Sequence, residues 1–219
     1  NRNNGALNPK AHWQTPLSFE EIVNERLISY PITRPMCAPI GDGAAAAIIV
    51  SDRFLAKMKD ANPIRIRSIA HTSGQAKTTF EESLDIAERL SSIAYEKAGI
   101  GPEDIQLAEV HDASAYGEIH QVEALGFTPE GMGGEFIDSG KSAIDGELPI
   151  NTSGGLISRG HPVGASGLAQ IYELVTQMRG QAGDRQVPKD TNIALAENGG
   201  GILTLEEASM TISILEKVS

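Results

Sequence analysis

Two histidines in this sequence stand where an imidazole could act on a carbonyl oxygen. His161 lies in the glycine-dense stretch 151–167, Asn-Thr-Ser-Gly-Gly-Leu-Ile-Ser-Arg-Gly-His-Pro-Val-Gly-Ala-Ser-Gly. Glycine permits positive backbone dihedrals and the close approach of a ligand. Pro162 suits the first turn of a helix, so His161 would be displayed at a helix N-terminus. There an imidazole donor and backbone dipoles can meet a developing oxyanion. On composition alone, a structural glycine-rich turn with an incidental histidine explains the stretch equally well. The second histidine, in His111-Asp112, closes a strand candidate, and ligands gather at the carboxyl ends of strands in α/β sheets. The plain alternative is a satisfied turn in which Asp112 caps the helix at Tyr116. Tyr116 and Glu118 fall on the first turn of that helix, where a solvated face is the simple reading. His12, His71 and His120 lack metal-ligand spacing and read as structural or surface residues, so no metal is expected.

The elements that must hold these residues follow from periodicity and turn chemistry. Asn1 to Thr15 is polar, rich in Asn and Pro, and reads as a loop in a chain entered midway. Ser18-Phe19-Glu20-Glu21 fits a capping box opening a short helix through Ile22, Val23 and Leu27. Ala44 to Val50, after Gly41-Asp42-Gly43, reads as a buried strand or the passage into one. A short helix starts near Ser51-Asp52, and Asn62-Pro63 marks a domain boundary, giving units 1–62 and 63–219. Ile64 to Ile69 alternates like a half-buried strand. Glu81 to Gly99 carries Ile86, Leu90, Ile93 and Lys97, or Ala87, Leu90 and Ala94, at helical spacing. Ile105 to Val110 is the strand before His111, and Tyr116 to Leu125 is a helix stopped by Gly126. Residues 131–146 read as loop. Leu168 to Arg179 sets Leu168, Ile171, Tyr172, Val175 and Met178 on one helical face. Asn192 to Ala196, Ile202 to Leu205 and Met210 to Leu215 read as strands. The order from residue 64 calls for a layered α/β domain.

With 219 residues the chain can bury a substantial core. Its net charge of -11, with no basic stripe, argues against nucleic acid as a ligand. No apolar run approaches the ~20 residues of a membrane span, and the first ten residues resemble no signal peptide. A single cysteine, Cys37, excludes an internal disulfide, suits a reducing cytoplasm, and reads as a buried core thiol.

Taken together, Gly41-Asp42-Gly43-Ala44-Ala45-Ala46, Val110-His111-Asp112 with Glu118, Ser153-Gly154-Gly155-Leu156 through Gly160-His161-Pro162-Val163-Gly164-Ala165-Ser166-Gly167, and Glu197-Asn198-Gly199-Gly200-Gly201 resemble the thiolase superfamily. The match runs in the right order over essentially the whole chain. With His-Asp where many thiolases have Asn-Glu, the branch looks like the sterol-carrier-protein, or lipid-transfer-protein, thiolases and their relatives.

The resemblance implies an α/β thiolase fold, here its C-terminal βαβαββ domain preceded by the tail of the N-terminal domain. It implies chemistry on an acyl-CoA thioester, with coenzyme A as part of the substrate and no other cofactor. His161 and His111, the latter directly or through a water, would form the oxyanion hole. Ser153, Gly154, Gly155, Gly160, Asn198 and Gly199 would line the path of the pantetheine arm. The family's nucleophilic cysteine belongs to the N-terminal half, and Cys37 is not in that context. The second, acid/base cysteine of thiolases has no counterpart, since Asn198-Gly199-Gly200 and Ala113 occupy its two usual places. That absence tilts the reading toward retro-aldol cleavage of a β-hydroxyacyl-CoA, as in the aldolases of steroid side-chain breakdown, with Tyr116 or Glu118 moving protons. Those enzymes work with an OB-fold and zinc-ribbon partner. An acyltransferase of conventional thiolase type, or a non-catalytic subunit that dimerises or binds acyl-CoA, remains open. An isolated half would expose a face that oligomerisation or the N-terminal half covers, and alone it would be inactive.

Overall fold

The computed structural model describes residues 1–79 and 84–218. Along the chain come α1 (Arg2–Ala6), α2 (Phe19–Val23), β1 (Leu27–Ser29), β2 (Ile32–Thr33) and α3 (Asp52–Leu55). They are followed by β3 (Ile64–Ser73), α4 (Ile86–Ala98), β4 (Leu107–Glu109), α5 (Ala115–Ala124) and α6 (Gly133–Asp138). The chain closes with α7 (Gly155–Arg159), α8 (Ser166–Met178), β5 (Ile193–Gly200) and β6 (Ser209–Lys217).

The four long-range strands form one mixed sheet in the order β3-β6-β5-β4. β6 pairs antiparallel with both β3 and β5, and β4 runs parallel to β5 with Ala108 opposite Leu195. Because side chains alternate across a strand, the sheet sorts its apolar residues into two cores. Ala108, Leu195, Ile212 and Ile214 join Leu90 and Ala94 of α4 and Val122 and Leu125 near α5 on one face. Leu107, Ala194, Ala196 and Leu215 meet Leu174 and Met178 of α8 on the other. The result is a three-layer α/β arrangement of the βαβαββ order. Leu90, Leu195 and Ile214 are each fully buried, a contribution of roughly 1.5–3 kcal/mol apiece.

Local signals explain the helix ends. Asp85 and Glu88 form a reciprocal capping box on α4, which stops at Gly99 with φ of 66°. The predicted start of this helix, 81–83, lies outside the described residues. Ala87, Leu90 and Ala94 form its buried face together with Ile86, while Ile93 is exposed. α5 ends at Ala124 with Leu125 as its C-cap, and Gly126 takes φ of 78° while Phe127 N–H reaches back to Val122 O.

Several expectations are corrected. The first residues are not all loop: Arg2–Ala6 is helical and packs on α7. The capping box at Ser18 exists, but α2 stops at Val23 and Leu27 belongs to β1. Ala44 to Val50 forms no strand; it runs with Ile48 and Ile49 exposed, because no described strand pairs with it. The 131–146 segment contains α6. Ile202 to Leu205 is a turn closed by a Leu203–Glu206 bridge. The expected apolar stripe of α8 is only partly its buried face: Met178 is buried, and Ile171 and Val175 pack against the second core. Leu168 and Tyr172 are exposed, and Gln170, Glu173 and Gln177 are buried instead, which is tolerable because each has hydrogen-bond partners inside. Cys37 is only half-buried, with Sγ 3.8 Å from Thr33 O. Among the described residues no helix is long and apolar enough to cross a membrane.

Candidate active site

β4 and β5 deliver the first histidine. Parallel pairing stops at Glu109, and two residues on the main chain turns so that His111 N–H donates to Glu197 Oε2 at 2.8 Å, near the end of β5. The next residue of β5, Asn198, places its side-chain nitrogen 2.9 Å from His111 Nδ1. With the amide as donor, Nδ1 accepts and the ring proton sits on Nε2.

The second histidine is presented by the turn between α7 and α8. Its N–H reaches Pro39 O at 3.3 Å, and Ile40 bridges it in parallel. Its Nδ1 lies 2.8 Å from the hydroxyl of buried Ser166, the first residue of α8. The helix therefore begins at Ser166, after a 3-10 turn over Val163–Ala165, and not at Pro162. The two imidazoles stand edge to face, 5.0 Å between centroids and 85° apart. Each Nδ1 is occupied, and each Nε2 is without a hydrogen-bond partner among the described residues.

Glycine makes the turn before α7 possible. Gly154 and Gly155 have φ of 100° and 60°, and a Cβ on Gly155 would stand 2.7 Å from Asp112 Cγ and closer still to its Oδ2. Asp112 needs that space. Fully buried, it accepts from Leu156 N at 2.6 Å and Ile157 N at 3.3 Å. Asp112 thus caps α7, and the helix at Tyr116 is capped by Ser114, whose Oγ accepts from Gly117 N at 3.3 Å.

Burial dominates the electrostatics. His111 is pushed down to about 4 by burial, then by His161 and Arg159. His161 is lowered by burial and by Arg159. Both rings are accordingly neutral near pH 7, N–H donors rather than cations. Burial, then Glu118, drives Asp112 well above the carboxylate range against the two amides that lower it. Below the site Glu109 is raised by burial although Arg159 opposes it; it accepts from Ser153 Oγ at 2.6 Å and faces Arg159 Nη1 at 3.4 Å. A groove of about 430 Å³ opens beside His161, lined among others by Lys10, Asp42, Arg159, Tyr172 and Glu173.

The residues singled out by sequence are dispersed around this pair. Asn198 touches His111, and Gly160 lies in the groove. Ser153, Gly154 and Gly155 are buried behind the turn, with the Ser153 hydroxyl and N–H both turned to Glu109. Gly199 is buried against Glu207. Glu118 is not on a solvated face: buried, its Oε2 accepts from Asn1 at 2.6 Å and Asn151 at 2.8 Å. Tyr116 is exposed and stacks on His120 at 6.1 Å. Sequence reading missed Glu109, Arg159, Glu197 and the N-terminal asparagines. Asn1 reaches Asp112 at 2.6 Å, Asn4 reaches Asn151 O at 3.0 Å, and Asn8 reaches Ser153 O at 2.8 Å. The one signal for the last group was the density of Asn in a stretch without apolar periodicity.

Residues 68–217 match the family described as Thiolase C-terminal domain-like. The chain belongs to the thiolase family. Among its relatives, sterol carrier protein 2 of Rattus norvegicus is 38% identical over 220 residues, covering 94% of this chain and 39% of the rat protein. The benzoylsuccinyl-CoA thiolase subunit BbsB of Thauera aromatica is 36% identical over 203 residues, 92% of this chain and 53% of that subunit. The solved structure of the Ltp2-ChsH2(DUF35) aldolase aligns with a TM-score of 0.81 and 27% identity, over 99% of this chain and 56% of that one. The chain thus spans about half or less of the length of these relatives.

Proposed function

We propose that this chain supplies the oxyanion side of an enzyme that makes or breaks a carbon–carbon bond next to an acyl-CoA thioester, and that its reaction is retro-aldol cleavage of a β-hydroxyacyl-CoA. The observation that carries the reading is the pair of neutral imidazoles 5.0 Å apart, each with Nδ1 occupied and Nε2 available. In retro-aldol cleavage a base removes the hydroxyl proton, the Cα–Cβ bond breaks, and its electron pair moves through the enolate onto the thioester oxygen. A carbonyl product leaves, and protonation at Cα gives the shortened acyl-CoA. Two preorganised N–H donors at that oxygen stabilise the charge where it develops; one such donor typically contributes about 2.7–4 kcal/mol. Glu118, tied by two asparagines, steadies the turn, which leaves exposed Tyr116 as this chain's group for the hydroxyl proton.

Retro-aldol cleavage requires no acyl-enzyme and no free thiol, in keeping with a chain whose one cysteine, Cys37, stands near Thr33. The competing reading, thiolytic transfer with a nucleophilic cysteine elsewhere in the protein, draws support from the benzoylsuccinyl-CoA thiolase subunit among the relatives. In either case the working unit is a complete thiolase-like fold. Ile40, Ile48 and Ile49, and Leu168 and Tyr172 of α8, are each exposed, and apolar side chains of this kind are what a further thiolase-like domain or a second copy would cover. The related aldolase is named as a pairing of Ltp2 with a DUF35 protein, and a comparable partner belongs to the proposal. Two assays on the complete unit test the reaction. Cleavage of a β-hydroxyacyl-CoA without free coenzyme A is expected; cleavage only of a β-ketoacyl-CoA with free coenzyme A would make the chain part of a thiolase and refute the retro-aldol assignment.

A further inference from the structure

We propose that Glu197 is a positioning residue for His111: a buried carboxyl that pins the His111 main chain while uncharged and weakens the oxyanion site when it loses its proton. The inference rests on the reading of His111 as an oxyanion donor. Glu197 sits in β5 with no solvent exposure. Its Oε2 accepts the His111 N–H at 2.8 Å, and its Oε1 has no hydrogen-bond partner among the described residues. Two other buried carboxylates near the site face an arginine: Glu109 stands opposite Arg159, and Glu173 is held by Arg185 at 2.9 Å, while Asp112 is satisfied by two main-chain amides. Glu197 has no described ion pair.

The groups around Glu197 come from every neighbouring element. Glu207, after the turn that follows β5, and Asp85, the cap of α4, are acidic and push its carboxyl up; His120 of α5 pulls the other way but is itself paired to Asp85 at 3.5 Å. From α8, Gln170 donates to the Glu197 carbonyl at 2.8 Å, and the Oε1 of Gln170 is likewise buried without a partner. Burial is the largest effect and raises Glu197 to about 8, against the hydrogen bond from His111. An uncharged acid can offer a proton as well as accept the His111 N–H. A charged one puts a negative charge behind the residue that must stabilise a second negative charge, and at low effective dielectric such repulsion is large. The same sheet position that fixes His111 therefore makes the site sensitive to alkaline pH.

The test follows the His111 ring by NMR in histidine-labelled protein across alkaline pH, alongside turnover of a β-hydroxyacyl-CoA or β-ketoacyl-CoA by the complete unit. In the unsubstituted protein the His111 ring signals inflect near pH 8 and kcat/KM falls about tenfold above it. Glu197→Gln, an isostere of the uncharged acid, removes both the inflection and the fall. Glu197→Ala removes the inflection and releases the His111 main-chain N–H, seen as faster amide exchange. An inflection that persists in Glu197→Gln, or a ring that shows none in the unsubstituted protein, overturns the proposal. If the NMR behaviour is as expected while His111→Ala leaves turnover unaffected, Glu197 still pins His111 and it is the oxyanion reading that fails.

Discussion

Replacing Gly155 by alanine probes the joint on which the site depends. The residue has φ of 60°, where a Cβ costs roughly 1–2 kcal/mol, and the methyl would meet the Asp112 carboxyl at 2.7 Å from Cγ. Asp112 has no room to step aside without releasing the N–H groups of Leu156 and Ile157. A buried donor left unpaired costs about 1–3 kcal/mol, so losing both brings the expected total to at least ~3 kcal/mol. Asp112 adjoins His111, so turnover should fall as well. Urea unfolding measures the first effect, with Gly134→Ala as the control. Gly134 lies in α6 with only open space around its would-be Cβ, and alanine there should be neutral or stabilising by up to about 1 kcal/mol. A loss below about 1 kcal/mol for Gly155→Ala would show that Asp112 does not require this glycine, and the account of the turn would be wrong.

Other consequences can be measured separately. Asn198→Ala should release the Nε2–H tautomer of His111 and lower kcat about three- to tenfold, the worth of one hydrogen bond, with KM little changed. His111 resists protonation in the folded state, so the unfolded chain binds the extra proton between pH 6.5 and about 4; stability should fall as pH drops through that window, and His111→Gln should flatten that part of a urea-midpoint profile. Ser114→Ala should cost about 1 kcal/mol by uncapping α5. Leu90→Ala, in the core between α4 and the sheet, should cost about 2–5 kcal/mol.

Much of this architecture was legible in the sequence where short-range rules act. The α4 helix, the β4 strand before His111, the helix stopped at Gly126 and the glycine turn before α7 all follow from caps, periodicity and glycine. Long-range satisfaction of polar groups was not legible. The α8 face rich in Leu168 and Tyr172 obeys helical periodicity, yet the buried face holds Gln170, Glu173 and Gln177, whose partners are 8–27 residues distant for the contacts they make to Arg185 and Glu197. Asp112 looked like the cap of the adjacent helix, but its acceptors serve amides 44 and 45 residues on. The strand reading of Ala44 to Val50 rested on composition, and composition cannot supply the neighbour with which a strand must pair.

The central claim is that His111 and His161 together stabilise an oxyanion. Steady-state turnover of an acyl-CoA substrate by the complete unit carrying His161→Ala, with His111→Ala beside it, tests it most directly. The account predicts that each substitution lowers kcat by roughly 10²–10³ with KM changed little, while the urea midpoint of the variant at the half-buried groove residue, His161→Ala, moves only slightly. Unchanged kcat in both variants would contradict it and leave the chain a binding or structural role.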